Sequence, residues 1–295
     1  MRPVLKSRYG WEPLAISFFG DPHIGHNEKL TAQLKSDLDG AKERGDVIVL
    51  WGDIADWILP SDHKRYTSGQ HNTDTDAAIN KQVRQLVEFL KPYANNISIM
   101  KLGNHETAVI KYHHVDPMQM LVAQLNAIRD EKLPPIFYGG YSMWWIVQLT
   151  NKEKGVRDSP GHGKNVKFWL HHGAGGSSPV TKGAIDRARI YDTITADVCI
   201  IGHKHTSLHV TTKHERVDDY GNVKREDRDF LILPGYSGWE QDAPGEDGYT
   251  LNWSAEKFYG LESTGYKRII LTPGHKNTNG RKDVYIKRTI ETDSE

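Results

Sequence analysis

Aspartate, asparagine and histidine recur in five short clusters of this sequence, each just after an apolar run. Residues 14–19 lead into Gly20-Asp21-Pro22-His23-Ile24-Gly25-His26, and residues 47–51 into Gly52-Asp53-Ile54-Ala55-Asp56. Residues 97–102 lead into Gly103-Asn104-His105-Glu106, 166–170 into His171-His172-Gly173, and 198–201 into Gly202-His203-Lys204-His205. Carboxylate, amide oxygen and imidazole nitrogen bind divalent cations, and imidazole also carries protons near neutral pH. Any one cluster says little, since Gly-Asp is commonly a turn and Asp-x-His commonly coincidence. All five in order are hard to explain as packing, because buried carboxylates and imidazoles are costly unless something compensates them. Divalent cations are the natural compensation. Two Asp, one Asn and at least four His suffice for two ions with shared ligands. Mixed N and O donors without thiolate disfavour a structural zinc site and suit Mn, Fe, Zn or a similar ion in an open catalytic site.

For these clusters to meet, the runs before them must lie side by side. Segments 14–19, 47–51 and 97–102 have the length and the Gly, Pro, Asn or Asp boundaries of buried strands. Between the first two, residues 27–45 place Leu30, Leu34, Leu38 and Ala41 on one helical face; residues 77–91 do the same with Ile79, Val83, Leu86, Val87 and Leu90. Strand-helix-strand-helix-strand predicts parallel strands with right-handed crossovers, and open α/β sheets build their sites at the strand ends. A third helix is predicted from Asp116-Pro117, an N-cap followed by proline, through Met118, Leu121, Val122, Leu125 and Ile128. The second half is richer in strands, at 142–149, 166–171, 198–201, 207–212, 230–233 and 268–271, with a helix over 183–195 and a strand beyond Arg281. Polar segment 61–76 and Gly/Asp/Pro-rich segment 241–249 are expected as surface insertions.

The ordered set resembles the calcineurin-like metallophosphoesterases, whose pattern is Asp-x-His, Gly-Asp-x-x-Asp, Gly-Asn-His-Asp/Glu, a His after a strand, and Gly-His-x-His. The match spans residues 20–205, and Leu233-Pro234-Gly235-Tyr236-Ser237 is similar to a Pro-Gly-Ser turn that many members carry further on. The resemblance implies an α/β fold, a four-layer α-β-β-α sandwich of two mixed sheets flanked by helices, as a single domain over 1–295. Its motif core would be 14–240, with a C-terminal strand extension over 250–295. It also implies a dinuclear metal site at the strand ends. One ion would take Asp21, His23, Asp53 and His205; the other would take Asp53, Asn104, a histidine of the 171/172 pair, and His203, with Asp53 bridging. Either His171, first after the apolar run, or His172, directly before Gly173, is the ligand, with His171 preferred. Manganese is expected first, with iron, zinc, magnesium or nickel as alternatives. Two such cations ~3.5–4 Å apart would lower the pKa of a water between them and supply a hydroxide for in-line attack on phosphorus. Asn104 and His105 would contact the phosphate, and His105 would protonate the leaving oxygen, a step worth about 10²–10⁴-fold. Asp56 is expected to orient a ligand or cap a turn rather than bind metal.

Across the 295 residues, 38 Lys+Arg balance 38 Asp+Glu, which argues against a general polyanion or anionic-membrane binder. Histidine is the uncommon residue, 15 against 7 Phe. His26, His63, His71, His113 and His114 are expected in loops or caps, and Trp144, Trp145, Trp169, Trp239 and Trp253 in the core or on sheet faces. The single Cys199 sits in an apolar run, no run approaches a membrane span, and a cytoplasmic location is expected. The leading functional expectation is an enzyme that hydrolyses a phosphate mono- or diester. A DNA-processing nuclease of the same superfamily would want a basic channel, whereas Lys and Arg are spread evenly. A non-catalytic scaffold on the same fold would show eroded motifs, and these are intact.

Overall fold

In chain order the elements are β1 (Val4–Tyr9), β2 (Leu14–Phe19), α1 (Glu28–Glu43), β3 (Val47–Leu50), α2 (Ala78–Leu90), β4 (Ile97–Met100), α3 (Asn104–His113), α4 (Pro117–Ile128), β5 (Phe137–Tyr138), β6 (Ser142–Thr150), β7 (Gly163–His171), α5 (Ala184–Tyr191), β8 (Val198–Ile201), β9 (Leu208–Val217), β10 (Val223–Ile232), β11 (Tyr266–Thr278) and β12 (Arg281–Asp293). This computed structural model describes residues 2–25, 28–59, 78–150, 163–175, 183–217, 221–236, 264–278 and 281–293. The expected insertions at 61–76 and 241–249, together with His26, His63, His71, Ser237, Trp239 and Trp253, lie outside the described residues.

The strands form two mixed six-stranded sheets, ordered β1-β6-β7-β8-β10-β9 and β12-β11-β2-β3-β4-β5. Strands β2, β3, β4 and β5 run parallel, as the strand-helix alternation predicts, and β11 closes against β2 antiparallel. Side-chain alternation then builds three apolar layers. Ile16, Phe18 and Val49 of one sheet meet Phe168, Leu170, Val198, Ile200 and Leu231 of the other between the sheets. The opposite face of β3, with Ile48 and Leu50, packs on Leu34 and Leu38 of α1, Val83 and Leu86 of α2, and Leu121 and Leu125 of α4. On the far side, Trp169, Cys199, Ile201, Phe230 and Ile232 pack with Ile190 and Tyr191 of α5. The order is therefore helix, sheet, sheet, helix. Strand β8 is buried along its whole length, which explains why it reads as an unbroken apolar run.

Three elements escape the periodicity. Strand β1 alternates exposed and half-buried residues at a sheet edge beside β6, so it carries no apolar run. Strand β5 has two residues. Helix α3 begins inside the third cluster and has no wide apolar stripe, with Val109 and Glu106 as its buried residues. Helix α5 ends at Tyr191, short of the expected 195, and β9 and β10 extend past the expected 212 and back to Val223. Among the described residues, no helix is long and apolar enough to cross a membrane.

Candidate metal centre

The parallel strands β2, β3, β4, β7 and β8 deliver their following loops to one rim, where the loops are joined backbone to backbone. His23 N–H donates to Asp53 O at 3.0 Å and Ile24 N–H to Ile54 O at 2.8 Å, tying the first two clusters. Gly202 N–H donates to His172 O at 2.8 Å, tying the last two, and Tyr236 N–H donates to Asp21 O at 3.0 Å. This closeness is what glycine permits. A Cβ on Gly52 would lie 2.0 Å from Gly103 N, and one on Gly103 would lie 2.0 Å from Asp53 Oδ1. The loops also hold side-chain residues in left-handed backbone. Among the described residues, seven non-glycine residues have positive φ, and five of them are candidate ligands: Asp21 (35°), His23 (42°), Asp53 (55°), His203 (69°) and His205 (49°). Such conformations cost about 1–3 kcal/mol each and cluster where function requires fixed geometry.

Asp53 lies at the centre. Its Oδ1 accepts the backbone N–H of His105 at 2.9 Å, and its Oδ2 lies 3.2 Å from His172 Nε2. The same Nε2 is 3.0 Å from Asn104 Oδ1. Asp21 is fully buried; it accepts His203 N–H at 2.5 Å and lies 3.6 Å from both His172 Nδ1 and His205 Nε2. His23 Nδ1 is 2.6 Å from Asp56 Oδ1, which makes Nδ1 the donor and leaves the ring's lone pair on Nε2, the tautomer a metal-binding imidazole needs. His105 Nδ1 donates to Asp56 O at 3.0 Å.

Glu106 has a role the motif alone does not reveal. Its buried carboxylate accepts from Gly103 N (2.8 Å), Asp53 N (2.9 Å), Ile54 N (2.8 Å) and Trp57 Nε1 (2.8 Å), so the third cluster braces the loop of the second. The detectable signal was an acid in the first turn of a helix, where free N–H groups gather.

The structure reverses the preference within the fourth cluster. His172, not His171, is the side chain brought to Asp53 and Asn104. His171 stacks on Trp169 with ring centroids 5.1 Å apart, and its Nδ1 accepts Gly173 N–H at 2.9 Å. Strand parity is the reason: Trp169 belongs to the outer layer and Leu170 to the layer between the sheets, so 171 follows the first and 172 the second. His171→Ala is therefore expected to leave bound-metal stoichiometry intact, whereas His172→Ala removes one ion. Elemental analysis of the dialysed variants checks this, and the opposite pattern would restore His171.

Electrostatics sharpen the picture. Burial opposes charge on Asp53, yet His172, with His105 and His23, holds its carboxyl well below the usual carboxylate range. Burial likewise opposes charge on His172, but Asp53 and Asp21 more than offset it and raise its pKa. Burial lowers the pKa of His23 and of His203. It pushes His171 down to about 4, with Lys101 and His172 adding to the effect. Burial and the Asp53 charge push Glu106 up, against the N–H donors that hold it down. A proton on His172 thus stands where a cation would satisfy the same carboxylates.

The donor set fits divalent metal. Among the described residues, Asp21 Oδ1 and His172 Nδ1 are buried without a hydrogen-bond partner, inside a group of carboxylate, amide and imidazole donors. Among the described residues, ligand atoms of Asp53, His172 and His203 lie within 4.8 Å of one another, as do those of His23, Asp56 and His105. The first trio belongs to one expected ligand set. The second joins His23 to two residues expected to orient and to protonate, and the 2.6 Å His23–Asp56 hydrogen bond accounts for that grouping. His113 and His114 end α3, with His114 as its left-handed cap, while Trp145 and Trp169 are buried in the apolar layers.

Two mixed sheets packed face to face, helices outside them, and a rim of convergent Asp, Asn and His donors define a metallophosphoesterase architecture. The chain belongs to the calcineurin-like phosphoesterase family, whose profile matches residues 14–207. No curated protein sequence matches it. Similar solved structures include a metallophosphoesterase from Sphaerobacter thermophilus (17% identity, 86% of this chain and 82% of that one, TM-score 0.34). Vps29 from Chaetomium thermophilum shares 12% identity over 95% of this chain and 97% of that one, with a TM-score of 0.33. Plasmodium GAP50 shares 10% identity over 93% and 88%, with a TM-score of 0.41.

Proposed function

We propose that this chain hydrolyses phosphate mono- or diesters with two divalent cations, manganese foremost, held at the rim. The observation that carries this reading is Asp53, a buried carboxylate lying between His172 and the His105 backbone, with Asp21 Oδ1 and His172 Nδ1 unsatisfied nearby. Asp21, His23, Asp53 and His205 would hold one ion, and Asp53, Asn104, His172 and His203 the other. Bound there, the ions would supply Lewis-acid activation of water and of the phosphoryl oxygens. The chain's own residues supply the rest. Asp56 fixes His23 through Nδ1 and holds His105 Nδ1 through its carbonyl. With both ring nitrogens protonated, His105 can deliver its Nε2 proton to the leaving oxygen while Asp56, 3.7 Å away, offsets the charge. Asn104 and His105, in the first turn of α3, would then contact the phosphate.

The test is hydrolysis by purified protein with Mn²⁺ of p-nitrophenyl phosphate, bis-p-nitrophenyl phosphate, and single- and double-stranded DNA. Hydrolysis of one or both small esters is expected, lost with chelator and restored by Mn²⁺. Activity confined to DNA would replace the general esterase with a nuclease, and no hydrolysis with any divalent metal would overturn the reading.

A further inference from the structure

Lys101 follows β4 and is fully buried, one of three buried lysines among the described residues, with Lys204 and Lys267. Its Nζ donates to three backbone carbonyls: Gly140 O at 3.2 Å, Tyr141 O at 3.2 Å and Leu170 O at 3.3 Å. The Trp51 ring centroid lies 5.2 Å from the same atom. Burial pushes its pKa down to about 7, yet three acceptors require three N–H donors, which the ammonium has and the neutral amine lacks.

Two of those carbonyls, on Tyr141 and Leu170, belong to the segments that hold His172. Tyr141 O also accepts the His172 backbone N–H at 3.0 Å, so one carbonyl joins the ammonium to the histidine's main chain. Leu170 is two residues before His172 on β7, in the opposite sheet from β4. The Tyr141 ring packs edge-on against His172 with centroids 5.2 Å apart, and its hydroxyl donates to Gly173 O at 2.8 Å. On its own sheet, Lys101 lies three residues before Asn104, whose Oδ1 is 3.0 Å from His172 Nε2. One side chain thus bridges the strand end carrying Asn104 and the strand end carrying His172. A methionine would fill comparable space; what it lacks is the directed tie between the sheets.

We infer that Lys101 is a positioning residue for the cation site of Asp53, Asn104, His172 and His203, holding His172 in register with Asn104 across the two sheets. This rests on the metal reading above. The experiment is Mn²⁺ titration of the full chain, with stoichiometry and affinity read by calorimetry and electron paramagnetic resonance, for wild type, Lys101→Met and Lys267→Met. Lys267 is the matched control: a buried lysine on β11 whose Nζ donates to Ser207 Oγ (2.8 Å) and Thr292 Oγ1 (2.9 Å) rather than to the Tyr141 and Leu170 carbonyls. Lys101→Met is expected to keep one ion at wild-type affinity and bind the other about 10–100-fold more weakly, while Lys267→Met leaves that second ion unchanged. If Lys101→Met does not fold, Lys101→Gln retains two N–H donors and is expected to show a smaller weakening of the same ion. Two unperturbed ions in a folded Lys101 variant, or equal weakening with Lys267→Met, would overturn the assignment. Failure of both Lys101 variants to fold would also overturn it, making the residue a determinant of the fold. A wild-type chain that binds no ion would remove the metal reading and this inference together, a result distinct from all of these.

Discussion

Asp53→Asn is expected to lose both ions and to lower hydrolysis by more than the roughly 10–100-fold typical of a residue that only supports a ligand. Asparagine keeps the volume and one oxygen, so the rim need not collapse, but it removes the charge shared by both ligand sets. His172 draws its raised pKa from Asp53 first, then Asp21 and Glu106, against the effect of burial, and the substitution removes the largest of these carboxylate contributions. The ion-free protein gives a second readout. The depressed Asp53 pKa contributes stability that is present above the unfolded carboxylate value of about 3.9 and lost as pH falls below it. The raised His172 pKa contributes stability that is present below the unfolded value of about 6.5 and lost as pH rises through the folded one. Ion-free wild type should therefore gain most from the pair between those two pH values, and Asp53→Asn should flatten that part of the melting profile. Two ions retained at wild-type affinity would remove Asp53 from the bridging position.

Much of this was legible because the chemistry lies on elements with strong periodicity. Residues 14–19 match β2 end to end, and the stripe of Leu30, Leu34, Leu38 and Ala41 is the buried face of α1. Buried parallel strands announce themselves as apolar runs, and a site at their ends inherits that clarity. What stayed hidden depends on contacts distant in sequence. Glu106 meets Asp53 and Ile54 more than fifty residues away, and its one local signal, an acid in a helix's first turn, points to that helix's own N–H groups rather than to the loop it braces. Lys101 reads as an ordinary charge until the second sheet supplies Leu170 O. The choice between His171 and His172 could have been read from parity, since Phe168 and Leu170 alternate with Trp169; both flanking layers are apolar, so composition did not reveal which faced the rim.

His105→Ala is expected to keep both ions and lose about 10²–10⁴-fold in turnover. The bond that ties this position to Asp53 is made by the backbone N–H at 2.9 Å, which alanine retains. The ring itself lies further out, its Nε2 4.0 Å from Asp53 Oδ2 and its side chain 19% exposed against 2% for Asp53. It is therefore placed to reach substrate rather than to complete a buried ligand set. The competing arrangement is the compact group of His23, Asp56 and His105, and were that a cation site, the variant would lose an ion. Leaving-group dependence separates the roles further. A proton donor matters most when the departing oxygen is basic, so the variant should suffer far more on an alkyl or phenyl phosphate than on p-nitrophenyl phosphate. An ion lost from His105→Ala, or an equal rate loss across leaving groups of different basicity, would end the case for His105 as the proton donor.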